Sequence, residues 1–408
     1  MRRLTRLAIG LVTAICPGCT APVVKPADTA PDQTVQLSGL FHALHALEAG
    51  SVPGQVPILQ IGDSHTANDA FSGQMRRLMQ ARFGDAGRGM LPPGIPFRLY
   101  HPAQVTVTAS GWTTIGSLQT SNPAPFGISG VRQVTTGRAT MTLHADRPDG
   151  FDAVVVEALA QPGGGTIEVT AGTAAATTLR TVGSGPAPLW LSVPARGADV
   201  TIRTRGDGPV TILSWTAQSR RRGVTWSNLG TIGATIDTFA RFDAELVSAE
   251  LRRLQPALIL VAFGTNEGFK DSTDPHGYEA RYAAQLRALH AEAPGAAILI
   301  VGPPDGTRRG AGERCAGEDA ATWSVPPRLP DLREAQRRVA RAEGFYFWDW
   351  SAAMGGPCSI VAWARTDPPM AAADHVHLLT PGYRATADKL FDELMHQYDQ
   401  YREQAHPG

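Results

Sequence analysis

Excess charge of either sign is missing from this chain: 37 Lys plus Arg balance 37 Asp plus Glu, so the formal net charge is zero. No overall field therefore draws it to nucleic acid or to an anionic membrane. Lysine is nearly absent, Lys25, Lys270 and Lys389 standing against 34 arginines. Long hydrophobic runs are absent as well; none reaches the ~18–20 apolar residues of a spanning helix. There is no GK[ST] loop and no full GxGxxG, which argues against a phosphate cradle. Cysteine is scarce, with only Cys16, Cys19, Cys315 and Cys358. Beyond residue 19 no CxxC or Cys–His cluster remains, so a structural zinc site is not expected. Apolar material is plentiful: 43% of the 408 residues are hydrophobic, enough for a real core. The length allows two or three domains.

Arg2, Arg3 and Arg6 precede a mostly apolar run over 7–15, followed by Cys16-Pro17-Gly18-Cys19. A charged start, an apolar stretch too short to span a bilayer and a small-residue zone predict a signal peptide over 1–19. Gly18-Cys19 resembles the end of a bacterial lipobox, which makes Cys19 a candidate for lipidation; ordinary cleavage nearby is the alternative. The expectation is an exported, periplasmic protein, tied to the outer membrane only if Cys19 carries a lipid. Residues 20–38, rich in Pro and Thr without periodicity, predict a linker. Cys315 and Cys358, left alone in an exported chain, most simply form one disulfide, with two unpaired thiols as the alternative.

Three textures follow. Over 57–61 a short apolar run ends at Gly62-Asp63-Ser64-His65, and Phe71, Met75, Leu78, Met79 and Phe83 then recur at helical spacing: strand, tight turn, helix. Over 105–217, short Val/Thr/Ile-rich runs such as VTVTAS, DAVVVEALA and PVTILSWTA alternate with Gly, Pro and Asp, the pattern of an antiparallel sandwich. After Trp226 helices and strands alternate: helix 239–254, strand PALILVAF, helix 278–292, strand AAILIV, helix 329–343, strand 345–350 and helix 383–401. That alternation predicts a parallel sheet flanked by helices. The expected organisation is an α/β domain in two parts, 39–104 and 226–408, interrupted by an inserted β-sandwich over 105–225.

Four short segments carry the candidate chemistry. Ser64 stands past the end of a predicted strand, where open α/β sheets form their ligand crevice, and the helix that follows can point N–H groups at a developing oxyanion. Asn266, in Gly264-Thr265-Asn266-Glu267, brings a neutral amide donor to a second strand end. Asn228-Leu229-Gly230-Thr231-Ile232-Gly233-Ala234-Thr235 brings two glycines that permit close backbone approach. In Asp374-His375-Val376-His377 a carboxylate precedes a histidine by three residues and can fold back to hold one ring nitrogen while the other takes a proton from serine. Each segment alone is also an ordinary turn, and His375 with His377 also spells a His-x-His metal pair.

Taken together, GDSH, NLGTIGAT, GTNE and DHVH resemble the four blocks of the SGNH (GDSL-type) hydrolases. That resemblance implies the flavodoxin-like three-layer α/β/α fold and an esterase with Ser64 as nucleophile, His377 as general base and Asp374 as its orienting partner. It implies an oxyanion hole made by the Ser64 N–H, the Gly233 N–H and the Asn266 amide, with Gly230 as the alternative to Gly233. No metal or organic cofactor is required. His65 replaces the Leu of GDSL. The stretch Arg82 to Gly89, RFGDAGRG, the long β-insert and Phe347-Trp348-Asp349-Trp350 are similar to the exported peptidoglycan O-acetylesterases, whose insert resembles a carbohydrate module. The implied partner is an acetylated polysaccharide, peptidoglycan first. Acetyl transfer to a sugar hydroxyl uses the same residues, and a non-catalytic wall-binding lipoprotein is the remaining alternative.

Overall fold

The computed structural model describes residues 33–405, apart from 52, 53, 120, 122, 148, 311 and 317–321. The signal peptide, Cys19 and most of the expected linker lie outside the described residues. The linker does not extend to residue 38, because Gln33–Gln36 already forms a helical turn and Ser38–Glu48 a helix. Leu40, Phe41, Leu44 and Leu47 recur at helical spacing and are buried, so an apolar stripe begins where the Pro/Thr-rich composition ends.

Five strands form a parallel sheet in the spatial order Gly223–Gly230, Gln55–Gly62, Leu258–Ala262, Ala297–Val301, Tyr346–Trp348. Numbered along the chain this is 2-1-3-4-5, the flavodoxin-like order, whose direction reverses between the first and third strands. Strand residues alternate between two cores, as a period of two requires. Ile58, Trp226, Leu260 and Leu299 pack with helices Ser38–Glu48, Ala70–Phe83 and Thr380–Ala405 on one face. Leu59, Ile61, Val261 and Ile300 pack on the other with Leu251, Tyr278, Tyr282, Leu286 and Val339 from helices Ala244–Leu254, Pro275–Glu292 and Arg328–Glu343. The expected helix over 239–254 divides at Asp243: a 3₁₀ turn, Ile236–Arg241, comes first, and Asp243 then caps Ala244–Leu254 by accepting from the N–H groups of Glu245 and Leu246.

The insert is two antiparallel sheets. Ala187–Gly197, Phe151–Ala160, Val210–Gln218, Val131–Thr135 and Thr113–Gly116 make one, and Val105–Ser110, Thr140–Ala145, Asp199–Thr204, Thr166–Ala171 and Thr177–Arg180 the other. Val154, Val156, Trp215, Met141, Val169 and Ile202 fill the space between them. Its edges differ from the expected 105–225. Gly89–Leu91, assigned by sequence to the α/β part, pairs with Val210–Gln218, and Gly223–Gly230 belongs to the parallel sheet. GVTWSNLG is as rich in strand formers as the sandwich before it, so composition does not mark the crossing.

The insert rests on helix Ala244–Leu254. Glu250 accepts from the Ile128 N–H at 2.6 Å, Leu246 packs with Leu159 and Leu213, and Arg253 lies over the Trp190 ring. Cys315 and Cys358 are joined in a disulfide.

Candidate active site

GDSH, NLGTIGAT and GTNE leave the same end of the parallel sheet, around the point where strand order reverses, and DHVH, just before helix Thr380–Ala405, meets GDSH there through His377. Gly62 closes its strand and must be glycine: a Cβ there would stand 2.3 Å from Thr66 Oγ1 and 2.5 Å from the Ala262 carbonyl. Asp63 then caps the short helix Ser64–Ala67, accepting from the His65 N–H at 3.0 Å. The same carboxylate bonds Thr265, so one buried group ties the Ser64 turn to the Asn266 turn. Burial pushes Asp63 up to about 6, against the pull of these donors and of His377.

Ser64 Oγ lies 3.0 Å from His377 Nε2, and His377 Nδ1 lies 2.7 Å from Asp374 Oδ2. Asp374 Oδ1 also accepts from the N–H groups of Val376 and His377, the fold-back that the three-residue spacing predicts. Partial burial would raise this carboxyl, but the imidazole and the two N–H groups bring it below its ordinary value. His65 packs its ring 5.3 Å from that of His377 and bonds Tyr383 through Nδ1. Burial, followed by repulsion from His377, lowers His65 to about 3, so it is a neutral packing partner.

The candidate oxyanion donors can be compared directly. The N–H groups of Ser64 and Gly233 meet no acceptor among the described residues, and Gly233 is exposed with φ +81°, a conformation that suits glycine. Gly230, the alternative, donates its N–H to Asn228 Oδ1 at 3.0 Å and is packed so closely that a Cβ would meet the Ala67 nitrogen at 2.1 Å. Its amide is already spent. Asn266 Nδ2 donates to the Ala234 carbonyl at 2.8 Å, which fixes the amide and leaves its second hydrogen to donate. Glu267 beside it accepts from the Ile236 N–H, and burial pushes its carboxyl up to about 7.

The two histidines of DHVH part company. His375 is stacked on Trp323 with ring centres 3.8 Å apart and lies 3.3 Å from Thr307 Oγ1 through Nδ1. Among the described residues no group of three His, Cys, Asp or Glu could hold a metal ion, and no helix is long and apolar enough to cross a membrane.

Sequence reasoning missed the support beneath the site. Asp69 accepts from Arg76 Nη2, Arg88 Nη2, the Ala103 N–H and Asn228 Nδ2 at 2.7–3.0 Å. Burial would raise its carboxyl, but the two guanidiniums hold it far below the usual range. Arg76 and Arg88 also donate to the Trp226 carbonyl. Arg88 sits in the quoted RFGDAGRG stretch, the one visible signal; nothing in the sequence links Asp69 to it.

This 2-1-3-4-5 sheet, with serine, glycine, asparagine and histidine gathered at its switch point, defines an SGNH-type hydrolase, and the enzyme class is esterase. Residues 192–385, just under half of the chain, match the model of the GDSL-like lipase/acylhydrolase family. The matched span starts inside the insert, so it covers the last three blocks and leaves Ser64 outside. The solved structure of a peptidoglycan O-acetylesterase is similar over nearly the whole chain: TM-score 0.76, 28% identity, 89% of this chain and 96% of that one covered. More distant are a family two carbohydrate esterase from Cellvibrio japonicus (TM-score 0.29, 11% identity, 72% and 99% covered) and an acetyl xylan esterase (TM-score 0.28, 16% identity, 42% and 80% covered). No curated protein sequence matches.

Proposed function

We propose that this chain is an exported serine esterase that removes O-acetyl groups from peptidoglycan, at O-acetylated muramoyl residues. The observation that carries the reading is the alignment of Ser64, His377 and Asp374 beside unspent donors. Likeness to the peptidoglycan O-acetylesterase along both chains supports the substrate, and the charged, apolar and small-residue start of the sequence supports export.

In this mechanism Ser64 Oγ attacks the acetyl carbonyl while His377 Nε2 takes its proton. The tetrahedral oxyanion is held by the Ser64 N–H, the Gly233 N–H and the Asn266 amide. Collapse breaks the ester bond, and His377 returns the proton to the departing sugar hydroxyl. Water then attacks the acetyl-serine, giving up a proton through His377; acetate leaves and Ser64 is restored. Asp374 holds the imidazole and offsets its transient positive charge.

Acetate release from O-acetylated peptidoglycan, set beside acetylated xylan and acetylated alginate, tests the assignment. Release should be fastest from peptidoglycan and vanish in Ser64→Ala. His377→Ala should lose far more turnover than His375→Ala, whose ring makes structural contacts. Full turnover in pure Ser64→Ala protein would end the serine mechanism.

A further inference from the structure

The groove that contains Ser64 and His377 has a volume of about 710 Å³, and three guanidiniums line it. Arg77 comes from helix Ala70–Phe83, Arg384 from helix Thr380–Ala405 and Arg98 from the connection between Leu91 and Val105. Three elements distant in sequence thus bring guanidiniums to one cavity, with His101 beside them. All three arginines are exposed, and none pairs with a carboxylate among the described residues. Arg77 donates only to the neutral Gln74 side chain. Asp388, one turn beyond Arg384, is engaged by Gln74 Nε2 instead.

Elsewhere on the surface some guanidiniums find carboxylates, Arg82 with Asp399, Arg147 with Asp85 and Asp149, Arg338 with Glu279, while others such as Arg138, Arg180, Arg203 and Arg341 stand singly. The groove differs in gathering three without a carboxylate partner among the described residues. Within the groove the one carboxylate is Asp69, which is buried and neutralised by Arg76 and Arg88. The field in the groove is therefore positive and uncompensated, and concave walls concentrate it. Leu99, next to Arg98, is 72% exposed and holds φ +74° although it is not glycine. Such strain persists where the surroundings impose it, often beside a ligand site.

We infer that Arg77, Arg98 and Arg384 form a carboxylate-binding subsite, so that the substrate is an anionic glycan presenting a carboxylate near its acetylated sugar. The inference rests on the esterase reading and sharpens it. Guanidinium forks match carboxylates in geometry and charge, and neutral xylan or cellulose would leave all three without a ligand. In peptidoglycan the carboxylates belong to the stem peptide; in an acetylated polyuronate they lie on the sugar ring. The subsite reads the shared group, and the two sources are separable by experiment.

The test is direct binding by titration calorimetry to the full-length protein, with four non-acetylated probes: a disaccharide–tripeptide with free carboxylates, the same compound with its carboxylates amidated, an oligogalacturonate and a neutral chito-oligosaccharide. The free acid should bind about 10-fold or more tightly than its amide, as a difference of about 1.4 kcal/mol corresponds to. That ratio should fall toward one in the triple variant Arg77→Gln, Arg98→Gln, Arg384→Gln, and in the unmodified protein as salt rises. The salt series needs no variant, so misfolding cannot mask the result. Tight oligogalacturonate binding without peptide-acid binding would keep the subsite and move the substrate to a polyuronate. Equal binding of acid and amide, an unaltered ratio in the variant, or no binding of either acid at about 10 mM would overturn the inference. Acetate release from O-acetylated peptidoglycan, measured in parallel, fails independently: lost release with intact discrimination removes the peptidoglycan assignment, and the reverse removes only the subsite.

Discussion

Asn266 shows how much one side chain contributes at two places. Its amide donates to the Ala234 carbonyl, next to Gly233, and in the proposed mechanism its second hydrogen meets an oxygen that is fully charged only in the tetrahedral state. Removing one oxyanion donor costs about 100- to 1,000-fold in turnover. Asn266→Ala also releases the Gly233 turn, so kcat should fall to the lower end of that activity range while KM changes little. Asn266→Asp should be at least as poor, because it sets a carboxylate against the Ala234 carbonyl and loses the donor. Steady-state kinetics on a small acetyl ester decide this. Near-normal kcat in the Asp variant would return Asn266 to the role of a turn residue.

At the scale of elements, the contact between the insert and helix Ala244–Leu254 contains two buried carboxyls. Glu157, on strand Phe151–Ala160, and Glu250 are 1% and 4% exposed and interact electrostatically. Burial raises both, and repulsion from Glu157 raises Glu250 further, so the pair retains a proton where a free glutamate would not. A raised folded value means the native state binds more protons than the unfolded chain. Stability from this pair is therefore present below the ordinary glutamate value of 4.5 and is lost as pH rises from there through the folded value. Glu250→Gln keeps an acceptor for the Ile128 N–H and removes the titration at this position. Its Tm should exceed that of the unmodified protein by more at pH 8 than at pH 5, measured by circular dichroism. An identical difference at both pH values would show that the pair does not titrate across that window.

For the whole molecule, these contacts make the insert a structural part of the α/β domain. The Gly89–Leu91 strand joins the sandwich sheet while the Met90 N–H donates to Ser227 Oγ in the parallel sheet, so one short strand is shared by both layers. Burial of Leu246 with Leu159 and Leu213 adds apolar contact. Calorimetry on the full chain should therefore give one cooperative unfolding transition; two resolved transitions would show that the insert is an independent unit. The Cys315–Cys358 link belongs to this scale too: closing 43 residues contributes up to about 4 kcal/mol in the chain-entropy account. Cys315 also donates its N–H to the Trp323 carbonyl, and Trp323 stacks on His375, so the crosslinked loop braces the turn that carries His377. Reduction should lower Tm and, at a lower temperature, activity.

Local signals were enough for part of this. Apolar runs such as ALILVAF and AAILIV are buried strands wherever the chain takes them, and period-3.6 stripes such as that from Phe71 to Phe83 are helices. The Asp374–His377 contact was equally legible, because a three-residue fold-back is a local event, and Ser64 and Asn266 stood at strand ends visible in the sequence. What depended on distant partners was not legible. Gly230 and Gly233 are alike as residues; what separates them is that the Asn228 side chain, held by the distant Thr66 carbonyl and Asp69, accepts from the Gly230 N–H. The strand Gly223–Gly230 has the texture of the sandwich, yet its backbone pairs with Gln55–Gly62. Asp69 and Arg88 lie 19 positions apart and meet only because the chain returns under the site. Arg77, Arg98 and Arg384 are three among 34 arginines until folding brings them to one groove. Periodicity and spacing report what neighbours along the chain do to one another; which donor stays unspent and which charges stay uncompensated are set by groups that only the tertiary fold brings within hydrogen-bonding distance.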